Sequence, residues 1–115
     1  MKIVYIAHPI GGDVKGNIDK IVAIVRHINL TEPEILPFAP YVVDCLALDD
    51  SDEMERGRGI KNGLRLLKAG FINEVWLYGS NISSGMGYEI ATAIEMGIKI
   101  VSMSKGTSSF KYTEK

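Results

Sequence analysis

The stretch that decides the fold is "EVWLYGSNISSGMGYEIATAIEMGIKIVSM", residues 74–103. It opens with a short apolar run at 74–79 and passes through a loop rich in glycine and serine. Apolar residues then recur at helical spacing over about 84–97, where Gly97 ends the predicted helix. A second β-branched run follows at 98–103. Two buried strands joined by a helix predict a parallel β-α-β unit with a right-handed crossover.

The same alternation extends upstream to the start of the chain. "KIVYIA" (2–7) predicts a buried strand, and "EILPFAP" (34–40) predicts a second short one. Helical spacing begins at Asn17, which we expect to cap the first helix. Residues 50–70 predict another helix, which Gly70 ends. The order β-α-β-α-β-α-β predicts an α/β fold, a Rossmann-like (flavodoxin-like) three-layer sandwich with a four- to five-stranded parallel sheet.

Length and composition indicate a single domain. The chain has 115 residues, of which 46% are hydrophobic and 23% charged, as in soluble globular proteins. We assign 1–103 to this domain and 104–115 to a polar C-terminal tail. The tail carries Phe110 and Tyr112, which could dock on a neighbouring molecule.

Charge and hydropathy exclude several classes of partner. The net charge of −1 provides no basic field for a nucleic acid polymer or an anionic membrane. No apolar run approaches the length of a membrane span, and the N-terminal run is too short for a signal peptide. The single cysteine, Cys45, cannot form an internal disulfide, so we expect a cytoplasmic protein. No spacing of His, Cys, Asp or Glu suits a metal, and we expect neither a metal nor a cofactor.

The ligand site is expected at the carboxyl edge of the sheet. The loops 8–13 ("HPIGGD") and 79–87 ("GSNISSGMG") follow the first and third strands, and a site should form where they meet. Amides at the start of a helix favour an anion such as a phosphate. An ordinary strand-to-helix turn, with Ser83 or Ser84 as the N-cap, explains the same residues.

Glu89 is the candidate carboxylate beside that loop. Apolar residues of the last helix share one side of it, namely Met86, Ile90, Ala93, Ile94 and Gly97. Glu89 falls at the rim of this cluster. It could act there as a nucleophile or general base, or it could be a glutamate stabilised by the helix dipole.

Three further residues offer chemistry with an equally ordinary explanation. His8 follows the first strand and could be an acid–base group or simply bond the loop backbone. Arg56 and Arg58 lie among glycines and could bind a phosphate or carboxylate, or could belong to a solvated helix start.

Three segments together carry a family resemblance. "VYIAHPIGG" (4–12), "VWLYG" (75–79) and "SSGMGYEIATAIEMG" (83–97) resemble the nucleoside 2-deoxyribosyltransferase superfamily. That superfamily includes the 2′-deoxynucleoside 5′-monophosphate N-glycosidases and short bacterial and phage proteins. The most specific part is Ser83-x-Gly85-x-Gly87-Tyr88-Glu89. The resemblance implies a Rossmann-like sheet without nicotinamide, and cleavage or transfer at the N-glycosidic bond of a (deoxy)nucleoside or its 5′-monophosphate.

The resemblance also implies roles for individual residues. Glu89 matches the nucleophile that attacks C1′, with Tyr5 as the aromatic residue beside it. Ser83, helped by the amides of Gly85 and Gly87, matches the 5′-phosphate site. The remaining residues expected at the substrate are His8, Pro9, Gly11, Gly12, Arg56, Asn62, Gly79 and Met86. The family further implies a homo-oligomer whose sites a neighbour completes.

One departure from the family pattern leaves two functions open. Asn62 stands where family enzymes carry an acid in the middle helix, and Gly79 follows the third strand where many have another. An asparagine cannot protonate a leaving base. The chain is therefore either an N-glycosidase or transferase, or a non-catalytic protein that binds or sequesters a nucleotide or a nucleotide-derived signal.

Overall fold

Four parallel strands form the central sheet of the computed structural model, which describes residues 1–108. The strands are β1 (Lys2–Ala7), β2 (Ile35–Phe38), β3 (Glu74–Leu77) and β4 (Lys99–Ser102). Their order is β2-β1-β3-β4, and every pairing is parallel. The predicted α/β Rossmann-like architecture is confirmed, with four strands in the described part of the chain.

Four helices connect the strands. They are α1 (Val14–Thr31), α2 (Tyr41–Ala47), α3 (Glu53–Lys68) and α4 (Ser84–Glu95), and a short 3₁₀ helix spans Lys105–Thr107. The predicted order has one helix between the second and third strands, whereas the structure has two, α2 and α3. Within residues 1–108, none of the helices has the length and apolar character needed to cross a membrane.

The first helix begins earlier than predicted. Its N-cap is Asp13, whose carboxylate accepts a hydrogen bond from the Gly16 amide at 3.1 Å. The side chain of Asn17 instead donates to the carbonyl of Ile10 at 2.9 Å. The prediction of a cap at Asn17 was wrong because apolar spacing becomes visible only after the first turn. Asn17 holds the β1–α1 loop against the helix that follows it.

Alternating strand residues build a core on both faces of the sheet. Val4 and Ile6 point to one face, where they pack with Ile28 of α1. Tyr5 and Val75 point to the other face, which α2, α3 and α4 cover. Near-continuous apolar strands are expected when helices cover both sides of a parallel sheet.

The buried side of α4 is rotated relative to the prediction. Met86 and Ile90 are buried as expected, but Ile94 is 51% exposed. Thr92, on the opposite flank, is buried instead. At about 100° per residue, Glu89 lies between Met86 and Thr92. It therefore falls within the buried arc of the helix and not at its rim.

The segment after β4 is more ordered than a loose tail. Thr107 is fully buried, and its hydroxyl hydrogen-bonds to the carbonyls of Ser104 and Leu77 at 2.9 and 3.3 Å. Residues 104–108 thus pack onto β3 and belong to the folded unit. Phe110 and Tyr112 lie outside the described residues.

Candidate functional site

The order of the strands brings two loops together at the carboxyl edge. β1 lies between β2 and β3, so the chain leaves β1 in one direction and later returns to pair on its other side. The Tyr78 amide donates to the Ala7 carbonyl at 2.9 Å, which ties the two strand ends to each other. This is the topological switch point at which parallel sheets bind ligands.

A cavity of about 200 Å³ opens at this edge, walled by the β1 end and by parts of α2, α3 and α4. It brings together most of the residues that the sequence nominated. The predicted residues that line it are Tyr5, His8, Pro9, Gly11, Arg56, Ser83, Gly85, Met86 and Glu89. The location expected from the two loops is therefore where the structure has its cavity.

The closest contact within the cavity joins β1 to α4. The hydroxyl of Tyr5 donates a hydrogen bond to Oε2 of Glu89, across 84 positions of sequence. Tyr5 is fully buried, and Glu89 is partly buried. The buried tyrosine thus fixes the direction in which the carboxylate faces the cavity.

Burial dominates the electrostatics of this pair. It raises the pKa of Glu89 to about 7, and the hydrogen bond from Tyr5 acts in the opposite direction. Burial and the negative charge of Glu89 hold the pKa of Tyr5 well above its usual range. Tyr5 therefore stays protonated and donates to the ionised carboxylate, whereas Glu89 changes its charge near neutral pH.

Ser83 lines the same cavity from the start of α4. Its Oγ accepts a hydrogen bond from the Met86 amide at 3.2 Å, so Ser83 is the N-cap. Within residues 1–108 its hydroxyl donates to no acceptor, which leaves that proton available to a ligand. The amide of Gly87 is not available, because it donates to the Ser83 carbonyl at 2.9 Å. An anion at this end would meet the hydroxyl and the first amides of the helix.

His8 lines the same cavity but has a second function in the loop. Its Nδ1 lies 2.7 Å from the carbonyl oxygen of Pro9, and so carries the proton that this contact requires. Burial lowers its pKa, which favours the neutral ring. Nε2 is then the hydrogen-bond acceptor of the ring.

Four predicted substrate-binding residues do not line the cavity: Gly12, Asn62, Gly79 and Gly87. Gly12 and Gly79 have positive φ values of 89° and 106°, so both have backbone reasons to be glycine. A Cβ on Gly79 would also collide with the ring of Pro9. Gly87 is exposed on α4.

Three further acidic side chains share the cavity with Glu89. Asp44 projects from α2, Asp50 from the loop after it, and Glu55 from α3. Asn62 donates through Nδ2 to the carboxylate of Asp44 at 3.3 Å. The asparagine that replaces the expected acid therefore holds an aspartate from a neighbouring helix.

One signal in the sequence pointed to Asp44. Tyr41, Asp44, Cys45 and Leu48 have the spacing of one helix face, and all four line the cavity. Recognising "YVVDCLAL" as a helix would have placed Asp44 on that face. Among the described residues, no group of three His, Cys, Asp or Glu side chains could hold a metal ion.

Cys45 lies in the same wall but is a poor nucleophile. Burial, with the negative charges of Asp50, Asp44 and Glu89, raises the pKa of its thiol to about 11. A thiol with such a pKa stays protonated near neutral pH.

Comparison with known proteins identifies a family. The sequence model of the family described as "Domain of unknown function (DUF7768)" matches residues 2–103, and the chain belongs to that family. No curated protein matches the chain.

Proposed function

We propose that this protein cleaves or transfers the N-glycosidic bond of a small (deoxy)nucleoside or its 5′-monophosphate, with Glu89 as the nucleophile. The observation that carries the proposal is the Tyr5–Glu89 pair. The Glu89 carboxylate is partly buried, accepts a hydrogen bond from the Tyr5 hydroxyl and lines a cavity at the switch point. A carboxylate in such a place suits attack on a carbon that becomes cationic.

The reaction would proceed in two displacement steps. An oxygen of the Glu89 carboxylate forms a bond to C1′ while the bond from C1′ to the base nitrogen breaks. The base leaves with that electron pair and takes up a proton. Water then attacks C1′, releases Glu89 and gives the free sugar, whereas a second base gives transfer.

The carboxyl groups around Glu89 bear on the fate of the leaving base. Asp44, Asp50 and Glu55 line the same cavity. Asp44 is also bonded by Asn62, which fixes the direction of its carboxyl group. A side chain in this cluster could deliver the proton that the base requires. The acid that appeared to be missing at position 62 thus has a candidate replacement on α2.

Hydrogen-bond donors that line the cavity support the choice of a nucleotide. The free hydroxyl proton of Ser83 and the start of α4 provide donors for a phosphate. Arg56, which lines the cavity from α3, is the guanidinium nearest to this chemistry. The resemblance of "SSGMGYE" to nucleoside 2-deoxyribosyltransferases supports the same assignment.

The test is direct detection of the released base. The protein is incubated with a panel of nucleosides, deoxynucleosides and their 5′-monophosphates, and free base is separated by chromatography. We expect release by the wild type and a loss of at least about 1,000-fold in Glu89→Gln, which keeps the size of the side chain but removes the nucleophile. Thermal unfolding of Glu89→Gln serves as the control for folding. Turnover by that variant at the wild-type rate would exclude Glu89 as the nucleophile.

A binding protein is the second candidate, because Asn62 cannot act as the acid that protonates a leaving base. A ligand that raises the melting temperature without release of base would identify a binding or sequestering protein, since a ligand stabilises the state it binds.

A further inference from the structure

A glycine of α3, Gly63, lines the cavity next to the Tyr5 hydroxyl. Gly63 is buried, and a Cβ built on it would lie 2.9 Å from the Tyr5 hydroxyl oxygen. Carbon and oxygen atoms that are not bonded make their best contact at longer separations, of roughly 3.5 Å. A methyl group at position 63 and the hydroxyl in its present place therefore exclude each other.

Tyr5 has little room to move away from such a methyl group. Its side chain is fully buried, and its ring packs against that of Tyr41 with centroids 5.8 Å apart. Tyr41 is itself fixed, because its hydroxyl donates to the carbonyl of Ile6. The collision is relieved only if Tyr5 disturbs this packing or α3 moves away from it, and a shift of Tyr5 would weaken its bond to Glu89.

We propose that Gly63 is a positioning residue, whose missing side chain leaves the space in which the Tyr5 hydroxyl reaches Glu89. The catalytic consequence rests on the proposed function. The steric effect of position 63 on the Tyr5–Glu89 hydrogen bond does not depend on that function.

The other glycines of α3 show that this requirement is specific. A Cβ on Gly57 would meet no atom within 4 Å, and one on Gly59 would make ordinary contacts of 3.7 Å with Asp44 and Leu48. Glycine destabilises a helix interior relative to alanine, so a buried helical glycine calls for a local reason. Gly63 has such a reason in Tyr5, whereas Gly57 has none in the described structure.

The consequence for Glu89 has a definite sign. The hydrogen bond from Tyr5 lowers the pKa of Glu89 and so opposes the effect of burial. If a methyl group displaces the hydroxyl, burial acts alone and the pKa of Glu89 rises. Less of the carboxylate is then ionised at neutral pH.

The experiment compares Gly63→Ala with Gly57→Ala, a matched substitution on the same helix. The Glu89 pKa is followed by carbon NMR of protein labelled at the glutamate carboxyl, with Glu89→Gln to assign the signal. We expect Gly63→Ala to raise this pKa from about 7 to roughly 8. Gly57→Ala should leave it unchanged and raise the melting temperature by roughly 2 to 6 °C. An unchanged Glu89 pKa in Gly63→Ala would overturn the proposal.

The background Tyr5→Phe makes the test independent of folding and of activity. Phenylalanine lacks the oxygen with which the new methyl group collides. In the Tyr5→Phe background, Gly63→Ala should therefore leave the Glu89 pKa unchanged and should not lower the melting temperature. Rescue of a poorly folded Gly63→Ala by Tyr5→Phe would support the proposal, and an equal loss of stability in both backgrounds would overturn it. If the Glu89 pKa shifts as expected but neither the wild type nor any variant releases base, the positioning role of Gly63 is supported and the proposed glycosidase function is excluded.

Discussion

At the scale of single residues, Glu89 is governed by two opposing effects. Burial disfavours its charge, and the Tyr5 hydroxyl stabilises it. The balance leaves a pKa of about 7. Helical spacing had placed Glu89 at the edge of the buried face of α4. Thr92 is buried as well, so the buried face extends beyond Glu89 and includes it. This shift of the buried arc turns a glutamate near a helix start into a group that titrates near neutral pH.

The first prediction at this scale concerns the pH dependence of base release. Only the ionised carboxylate attacks, so kcat/KM should rise with pH on the acid side with an apparent pKa near 7. Tyr5→Phe removes the bond that lowers the Glu89 pKa, and should move this limb to higher pH. The pH profiles of both proteins are measured over roughly pH 4 to 9 with one substrate. An acid limb close to the ordinary glutamate pKa, unmoved by Tyr5→Phe, would contradict the assignment.

At the scale of elements, α2, α3 and α4 each contribute residues to the wall of the cavity. α4 brings Glu89 and the capping serine, and α3 brings Gly63 and Arg56. The seven-residue α2 brings Tyr41 and Asp44. Each helix needs only one face to do this, since side chains three and four positions apart share a face.

The prediction for α4 separates the cap from the ligand contact of Ser83. Ser83→Ala removes the N-cap bond to the Met86 amide and should cost about 1 kcal/mol of unfolding free energy. Ser84→Ala, at an exposed neighbouring position, should stay within about 0.5 kcal/mol. Urea denaturation of both variants checks the comparison.

Ser83→Ala also tests whether the Ser83 hydroxyl binds a 5′-phosphate. If the Ser83 hydroxyl holds a 5′-phosphate, Ser83→Ala should raise KM for a monophosphate by roughly 10-fold and leave KM for the nucleoside unchanged. Equal changes for both substrates would restrict Ser83 to its capping function.

At the scale of the whole molecule, the expected homo-oligomer remains a prediction. α2 presents Val43 and Leu46 on its outer side, 70% and 71% exposed, next to the wall that lines the cavity. Exposed apolar side chains that adjoin each other are the usual feature of a protein contact. A neighbour seated there would lie beside the cavity, as the family resemblance implies.

Sedimentation tests this arrangement. We expect wild-type protein to form a dimer or larger species, and Leu46→Glu to shift it toward monomer by at least about 10-fold in dissociation constant. Leu30→Glu is the control, because Leu30 is 68% exposed on α1, away from the cavity-lining residues. Wild-type protein that stays monomeric at high concentration would rule the oligomer out, and dissociation by Leu30→Glu alone would place the contact elsewhere.

The sequence by itself determined the four strands, three of the four helices and the edge of the sheet where the cavity lies. Local spacing encodes which residues of a strand or helix are buried, and this was enough for β1, β4 and the loop before α4. The resemblance carried by Ser83-x-Gly85-x-Gly87-Tyr88-Glu89 singled out Ser83 and Glu89, which spacing alone left with ordinary alternatives. Errors arose at Asn17 and Ile94, where the neighbours in space, not the spacing, decide what is covered.

Only the tertiary structure decided what surrounds Glu89. Tyr5 reaches it across 84 positions, and Asp44 lines the cavity from α2, a helix that the predicted order did not contain. Gly63 acquires its role solely through the position of the Tyr5 hydroxyl. These contacts depend on the pairing of β1 with β3 and on the packing of α3 beside α4. No periodicity within one element can encode them, because each is set by how separate elements fill space together.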